Sequence, residues 1–152
     1  MRLMRRTTAF LDMPCSGSGI PAVEVPQIWN EAEVFLRPAI ERSQGRYDIA
    51  SVYAAIMERN MQLWCVWDGP MIAAVVTQVN IWPTGMRTAR VILAGGSRIK
   101  EWVHMMDLIE RWSRANDCRL LFADGRPGFK KLLGWETATI ELVKDLSDAP
   151  RR

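Results

Sequence analysis

Apolar positions in the first half of the chain recur with helical spacing. Ile28, Ala32, Phe35, Leu36, Ala39 and Ile40 make one stripe. Pro26 stands where helices accept a proline, in the first turn, while Pro38 is expected to kink or split the helix. The preceding IPAVEV (Ile20–Val25) reads as a first strand, and Gly45 closes the connection to a second helix. Asp48 is a good N-cap for that helix, which carries Ile49, Val52, Tyr53 and Ile56 on one face and ends near Asn60.

The pattern then changes to β-type runs. MQLWCVW and MIAAVVTQVNIW flank Asp68-Gly69-Pro70, a hairpin signal, and Pro83-Thr84-Gly85 turns the chain back into TARVILAGG. These are three consecutive antiparallel strands. A long helix is expected from about Lys100 to Ala115, with Lys100, His104, Asp107, Arg111 and Arg114 on its polar face. Trp102, Met105, Met106, Ile109 and Trp112 lie on the other. CRLLFA (Cys118–Ala123) is a short buried-type strand, and strand, helix, strand here implies two nearby parallel strands. A short helix around Gly128–Leu133 and a last strand, Thr137–Leu142, complete the order β-α-α-β-β-β-α-β-α-β. The fold class is α/β, with helices flanking a mixed sheet. Residues 20–146 form a single domain, preceded by a flexible segment 1–19 that ends in CSGSG and succeeded by a tail 147–152.

Composition narrows the function classes. The chain has 152 residues, enough for one domain with a real core, and 49% hydrophobic against 24% charged residues excludes a disordered protein. Seven tryptophans and nine methionines read as core, with strand tryptophans leaving room for a homo-oligomer interface. The net charge of +3 comes from the ends, where Arg2, Arg5, Arg6, Arg151 and Arg152 lie. Without them and Asp12, fifteen basic residues face sixteen acidic ones, which argues against a nucleic-acid groove as the main site. One histidine and the scattered Cys15, Cys65 and Cys118 supply neither a metal cluster nor a disulfide framework. No membrane-spanning run or secretory signal is visible, so a cytoplasmic location is expected.

The stretch ILAGGSRIKEW (Ile92–Trp102) passes from a strand through two glycines and a serine into a helix. Such a turn offers bare N–H groups and a positive dipole end to a phosphate. Gly95, Gly96, Ser97, Arg98 and Lys100 are therefore the candidate phosphate-binding residues, with Arg126 in the tight loop DGRPGF as a further contact. The competing reading is a tight turn with Ser97 as N-cap.

The order of two helices, a three-strand meander, a glycine turn into a helix, then strand and helix resembles the GNAT acetyltransferase superfamily over about Ile20–Leu146. GFKKLLGWE is similar to that family's helix ending in Leu-Gly-Phe, with Gly134-Trp135 at the Gly-Phe position. The resemblance implies acetyl-CoA bound by its pyrophosphate at Gly95–Lys100, with the pantetheine arm between strands that splay apart. This sequence departs from the pattern at informative places. Its glycines come early in the loop, and Ile99 and Lys100 stand where a second small residue would ease contact. The frequent catalytic tyrosine maps onto Lys130, next to Phe129, and no tyrosine occurs after Tyr53. TARVILAGG carries no carboxylate, leaving Asp124 and Glu101 as candidate bases. His104 reads as a solvated surface residue, and Cys65 and Cys118 as structural thiols.

The resemblance implies one of two functions. One is an acetyl-CoA-dependent N-acyltransferase working by proximity and amine desolvation. The other is a GNAT-fold protein without catalysis, serving as a binding or assembly module. Words such as WCVWDG and GRPGF are similar to small GNAT-like proteins of bacteriophages and prophages, which would make it a virion-associated or injection component with phage structural proteins as partners.

Overall fold

The computed structural model describes residues 15–125 and 127–147. In chain order its elements are β1 (Ser16–Ile20), α1 (Val25–Glu41), α2 (Ile49–Met57), β2 (Gln62–Trp67), β3 (Met71–Ile81), β4 (Arg87–Gly96), α3 (Ile99–Trp102), α4 (Met106–Ala115), β5 (Leu120–Ala123) and α5 (Pro127–Leu133). The sheet runs β1-β2-β3-β4-β5. Neighbours are antiparallel except for the parallel pair β4 and β5, so the sheet is mixed as expected.

Local chemistry accounts for most boundaries. Pro26 falls in the first turn of α1, where its missing N–H costs nothing. Asp48 Oδ1 accepts the Ser51 amide at 2.7 Å while Ser51 Oγ accepts the Asp48 amide at 3.1 Å, a reciprocal cap that starts α2. The β2–β3 hairpin turns on Gly69 (φ 74°), with the Asp68 amide donating to Pro70 O at 2.9 Å. Gly85 (φ 87°) serves the β3–β4 hairpin in the same way.

Two faces of the sheet carry two cores. On one, Val25, Ile28, Ala32 and Leu36 of α1 and Val52 and Ile56 of α2 pack against Leu63, Cys65, Ala74, Val76, Ile92 and Leu93. On the other, Trp102, Met106 and Ile109 pack against Cys15, Trp64, Val66, Ile72, Ala73, Val75 and Val91. Trp64 is fixed there twice: its Nε1 donates to buried Thr77 Oγ1 at 2.9 Å, and its ring meets Trp112 edge-on at 5.5 Å.

Four expectations are corrected. The first strand is Ser16–Ile20, not Ile20–Val25. Residues 16–19, read from the sequence as the end of a flexible segment, are in the sheet, and residues 1–14 lie outside the described residues. Pro38 does not split α1, because it sits in the last turn. The carbonyl its N–H would have served is that of Val34, which faces solvent. The single helix Lys100–Ala115 is two, α3 and α4, joined by a 3-10 turn at Val103–Met105. Thr137–Leu142 forms no described ladder. Within it Glu141 Oε1 accepts from Arg46 Nη1 at 3.1 Å, and Ile140, Leu142, Val143 and Leu146 are exposed.

Leu36 is fully buried at the centre of the α1 core. Leu36→Ala is expected to cost about 2–5 kcal/mol, and Val34→Ala less than about 0.5, in urea unfolding. Hydrogen bonds from Ser51, the amide first, hold the Asp48 carboxyl below the usual carboxylate range. A lowered folded-state pKa gives stability that is present above the unfolded value and lost as pH falls through the folded one. The urea midpoint should therefore drop as pH falls below about 5 through the carboxylate range, and Asp48→Asn, which keeps an acceptor but does not titrate, should drop less. Equal drops for both proteins would show that the cap does not carry this pH dependence.

Candidate functional site

The site begins with one extra residue in β4. Val76 pairs with Leu93 but Thr77 pairs with Val91, so Ile92 is a bulge. Its effect shows in the side chains: Ile92 and Leu93, although adjacent, both enter the α1 core, while Val91 and Ala94 face α4. Pairing of β4 with β5 ends at Val91↔Ala123, the last residue before the bulge, closed by Asp124 N donating to Val91 O at 3.0 Å. Beyond that point β4 runs on to Gly96 without β5. β5 itself stops at Ala123, and the wedge beyond its end is lined by Val91, Ala94, Trp102, Asp124, Phe129 and Leu133. The free room in the wedge is about 10 Å³, the space of one water.

The glycine turn stands at the end of β4, and its bare positions are already used. A Cβ on Gly95 would lie 1.9 Å from Phe35 O, so this glycine lets α1 lie directly on the strand. Gly96 has φ 143°, and a Cβ there would lie 2.4 Å from Ile72 O on β3. The Ser97 amide donates to the same Ile72 O at 3.0 Å, and the Ser97 carbonyl accepts from Trp102 Nε1 at 2.8 Å. Ser97 is not the N-cap of α3: that position belongs to Arg98, in the left-handed region at φ 60° with no side-chain cap.

Arg98 is held by two acids. Its Nε and Nη2 donate to Glu101 at 2.9 and 2.7 Å, and Nη2 also reaches Asp68 Oδ2 in the β2–β3 turn at 2.8 Å. These partners, Glu101 first, raise the guanidinium pKa further, and Arg98 in turn holds Glu101 below the ordinary carboxylate range. Glu101 is thereby a poor base, because a base for an amine needs a raised pKa. The Arg98 charge is matched locally and the Glu101 amide donates to Arg98 O at 2.9 Å, which leaves exposed Lys100 and the Ile99 and Lys100 amides at the start of α3.

Asp124 is the carboxylate at the wedge. Its Oδ1 accepts from Arg90 Nη1 at 2.6 Å, and the Arg90 guanidinium lies over the Phe122 ring at 4.8 Å. The structure thus brings Gly95, Gly96, Ser97, Arg98, Lys100 and Glu101 into one turn and puts Asp124 at the adjacent wedge. Arg126 lies outside the described residues. His104 is exposed in the 3-10 turn, Cys65 is buried, and burial pushes the half-buried Cys118 thiol up. Lys130 sits on α5 beside Phe129, whose ring lines the wedge.

Three site residues were not anticipated. Ile92 has no bulge signature in its type, and Arg90 and Asp68 are singled out by partners distant in sequence. Among the described residues, no three His, Cys, Asp or Glu side chains converge as metal ligands, and no helix is long and apolar enough to cross a membrane.

A mixed sheet whose one parallel pair, β4 and β5, stops at a bulge, with a turn and helix beyond it, is an α/β architecture. The chain has the fold of the GCN5-related N-acetyltransferases, or GNAT proteins, as its likeness to solved structures shows. A GCN5-related N-acetyltransferase from Ralstonia eutropha superposes with TM-score 0.58 at 14% identity over 87% of this chain and 98% of that one. A predicted acetyltransferase with acetyl-CoA from Clostridium acetobutylicum gives 0.62 at 11% identity, over 87% and 96%. An aminoglycoside acetyltransferase from an uncultured soil metagenomic sample gives 0.66 at 8% identity, over 91% and 99%. No protein-family model matches the chain, and no curated protein does.

If the turn glycines serve packing, they should report in stability before any ligand is added. Gly95→Ala and Gly96→Ala are each expected to lower stability by about 1–3 kcal/mol or more through forced backbone shifts. Gly128→Ala, with nothing within 4 Å of the new methyl, should be neutral or slightly stabilising. Thermal unfolding of the three variants measures this, and a wild-type melting temperature for Gly95→Ala would remove the packing role.

Proposed function

We propose that the protein is an acyl-CoA-dependent N-acyltransferase of the GNAT type, with acetyl-CoA as the expected donor. The observation that supports this reading best is the end of the β4–β5 ladder at the Ile92 bulge, which leaves β4 unpaired on that side just before the turn into α3. The amides opening α3 and the Lys100 ammonium would hold the donor's diphosphate. Its bound thioester would present a carbonyl carbon to an amine. The present room in the wedge does not admit a thioester arm, so Phe129 and Leu133 of α5 must shift outward on binding.

The chain's own groups have limited tasks in this reading. Asp124, which accepts from Arg90, is the carboxylate lining the wedge and would take the proton the amine gives up, directly or through water. No tyrosine occurs after Tyr53, so water would protonate the departing thiolate. Positioning of the two reactants would then supply most of the acceleration.

A second reading, a GNAT fold kept as a non-catalytic binding module, draws on a specific observation. Both turn glycines, the Ser97 amide and the Arg98 guanidinium are already engaged within the protein. The acetyltransferases it resembles lend no support to a virion-associated role for that module.

Titration calorimetry with acetyl-CoA separates the readings. The enzyme reading expects micromolar binding, weakened about tenfold by Lys100→Glu through loss of one charge-assisted contact. Asp124→Asn should leave that affinity unchanged while slowing acetylation across an amine panel by about 10²–10⁴-fold. No heat at millimolar cofactor would select the non-catalytic module.

A further inference from the structure

Strand β3 is longer than its neighbour β2. Pairing between them reaches Gln62↔Thr77, and β1 ends beside it at Ile20↔Leu63. Gln78–Ile81 therefore pair with β4 alone. Alternate N–H and C=O groups along these four residues, about 13 Å of strand, point away from β4, and among the described residues no strand meets them. Natural sheets guard such edges with lysine, proline or a bulge. Gln78, Val79, Asn80 and Ile81 include no lysine and no proline, and the ladder with β4 is regular there.

A cavity of about 540 Å³ opens alongside this edge, within the range of ligand sites. It lies at the end of β4 where Arg87 begins the strand, opposite the wedge. Its walls include Val23 after β1, Arg59 and Asn60 at the end of α2, Arg87, and Trp112 and Asn116 at α4. Two arginines face it, and no aspartate or glutamate lines it. Both are positioned by backbone: Arg87 Nε donates to Asn116 O at 2.6 Å, leaving its terminal nitrogens free of that bond. Arg59 sits in a left-handed turn (φ 65°) after which the Asn60 and Met61 amides both bond Ala55 O. Val23 and Ile81 expose apolar side chains at the rim.

We propose that this notch binds an extended acidic peptide, which adds as a short strand to the free edge of β3. Backbone pairing with Gln78–Ile81 would supply register, and side chains of the peptide would alternate between the two faces. Acidic ones on the α2 face meet Arg59, and apolar ones on the α4 face cover Ile81. The free edge favours a peptide over a small anion, because a small anion would leave the strand's groups unused. The notch is separate from the wedge, so the proposal stands apart from the acyl-transfer reading.

The test is fluorescence anisotropy of the full chain with a labelled hexapeptide of alternating glutamate and valine. Amide chemical shifts of Gln78–Ile81 are followed in parallel. Saturable binding is expected, weakened at least about tenfold by Arg59→Glu, whose circular dichroism should match wild type. It should also be lost when alternate peptide amides are N-methylated, and the Gln78–Ile81 amides should shift. Three results overturn the proposal: no saturation at millimolar peptide, equal binding of a lysine–valine peptide, or equal binding of the N-methylated peptide. Displacement by equimolar inorganic phosphate would overturn it as well, by marking a small-anion site.

Discussion

One strand, β4, has to satisfy two helical layers and two neighbouring strands at once. Its middle carries a residue more than β3 needs, and its end must be bare of side chains where α1 and β3 press on it. The bulge turns Ile92 and Leu93 together into the α1 core, which strengthens that face. The β4–β5 ladder stops at the same place, so the opening beyond the end of β5 adjoins a residue that serves core packing. Val91 and Ala94, which pack in the core on the α4 side, thus also line the wedge.

That dual use explains the character of the turn beyond the bulge. A phosphate loop needs glycines whose backbone is open to a ligand. Here the backbone is open, but toward Phe35 and Ile72. Likewise Arg98 is a cation in the right place whose field is answered by Asp68 and Glu101. What remains for an anion is a short helix start and a flexible lysine, a weaker site than the fold could build. The wedge beyond it is closed by apolar side chains of α3 and α5, which are easier to displace than backbone.

Much of this architecture was legible because it rests on local signals. The α1 stripe, the Asp48 cap and the two glycine hairpins are each written within a few residues. The parallel placement of β5 came from the intervening helix. What escaped the sequence depends on partners distant along the chain. SGSG has little intrinsic strand preference, yet Ser16–Ile20 is a strand because β2 offers it a ladder. Gly19 also leaves room for the Trp64 ring, and Gly17 for Met105. Thr137–Leu142 shows the reverse case, a strand-like pattern with no neighbour to pair with among the described residues. The glycine turn was located correctly and its packing role was not, since Phe35 lies far upstream and nothing local announces the contact. The bulge at Ile92 left no trace in residue type.

The Arg98 turn bears on how the protein responds to its medium. A non-glycine residue in the left-handed region is held against its own preference. Here the restraint includes a three-charge cluster whose members are open to water. Screening of such exposed charges grows as the Debye length shrinks from about 30 Å in 0.01 M salt to about 8 Å near 0.15 M. The tightness of the β4–α3 connection is thus a function of ionic strength: the turn is held most firmly in dilute buffer and is freest to rearrange in salt.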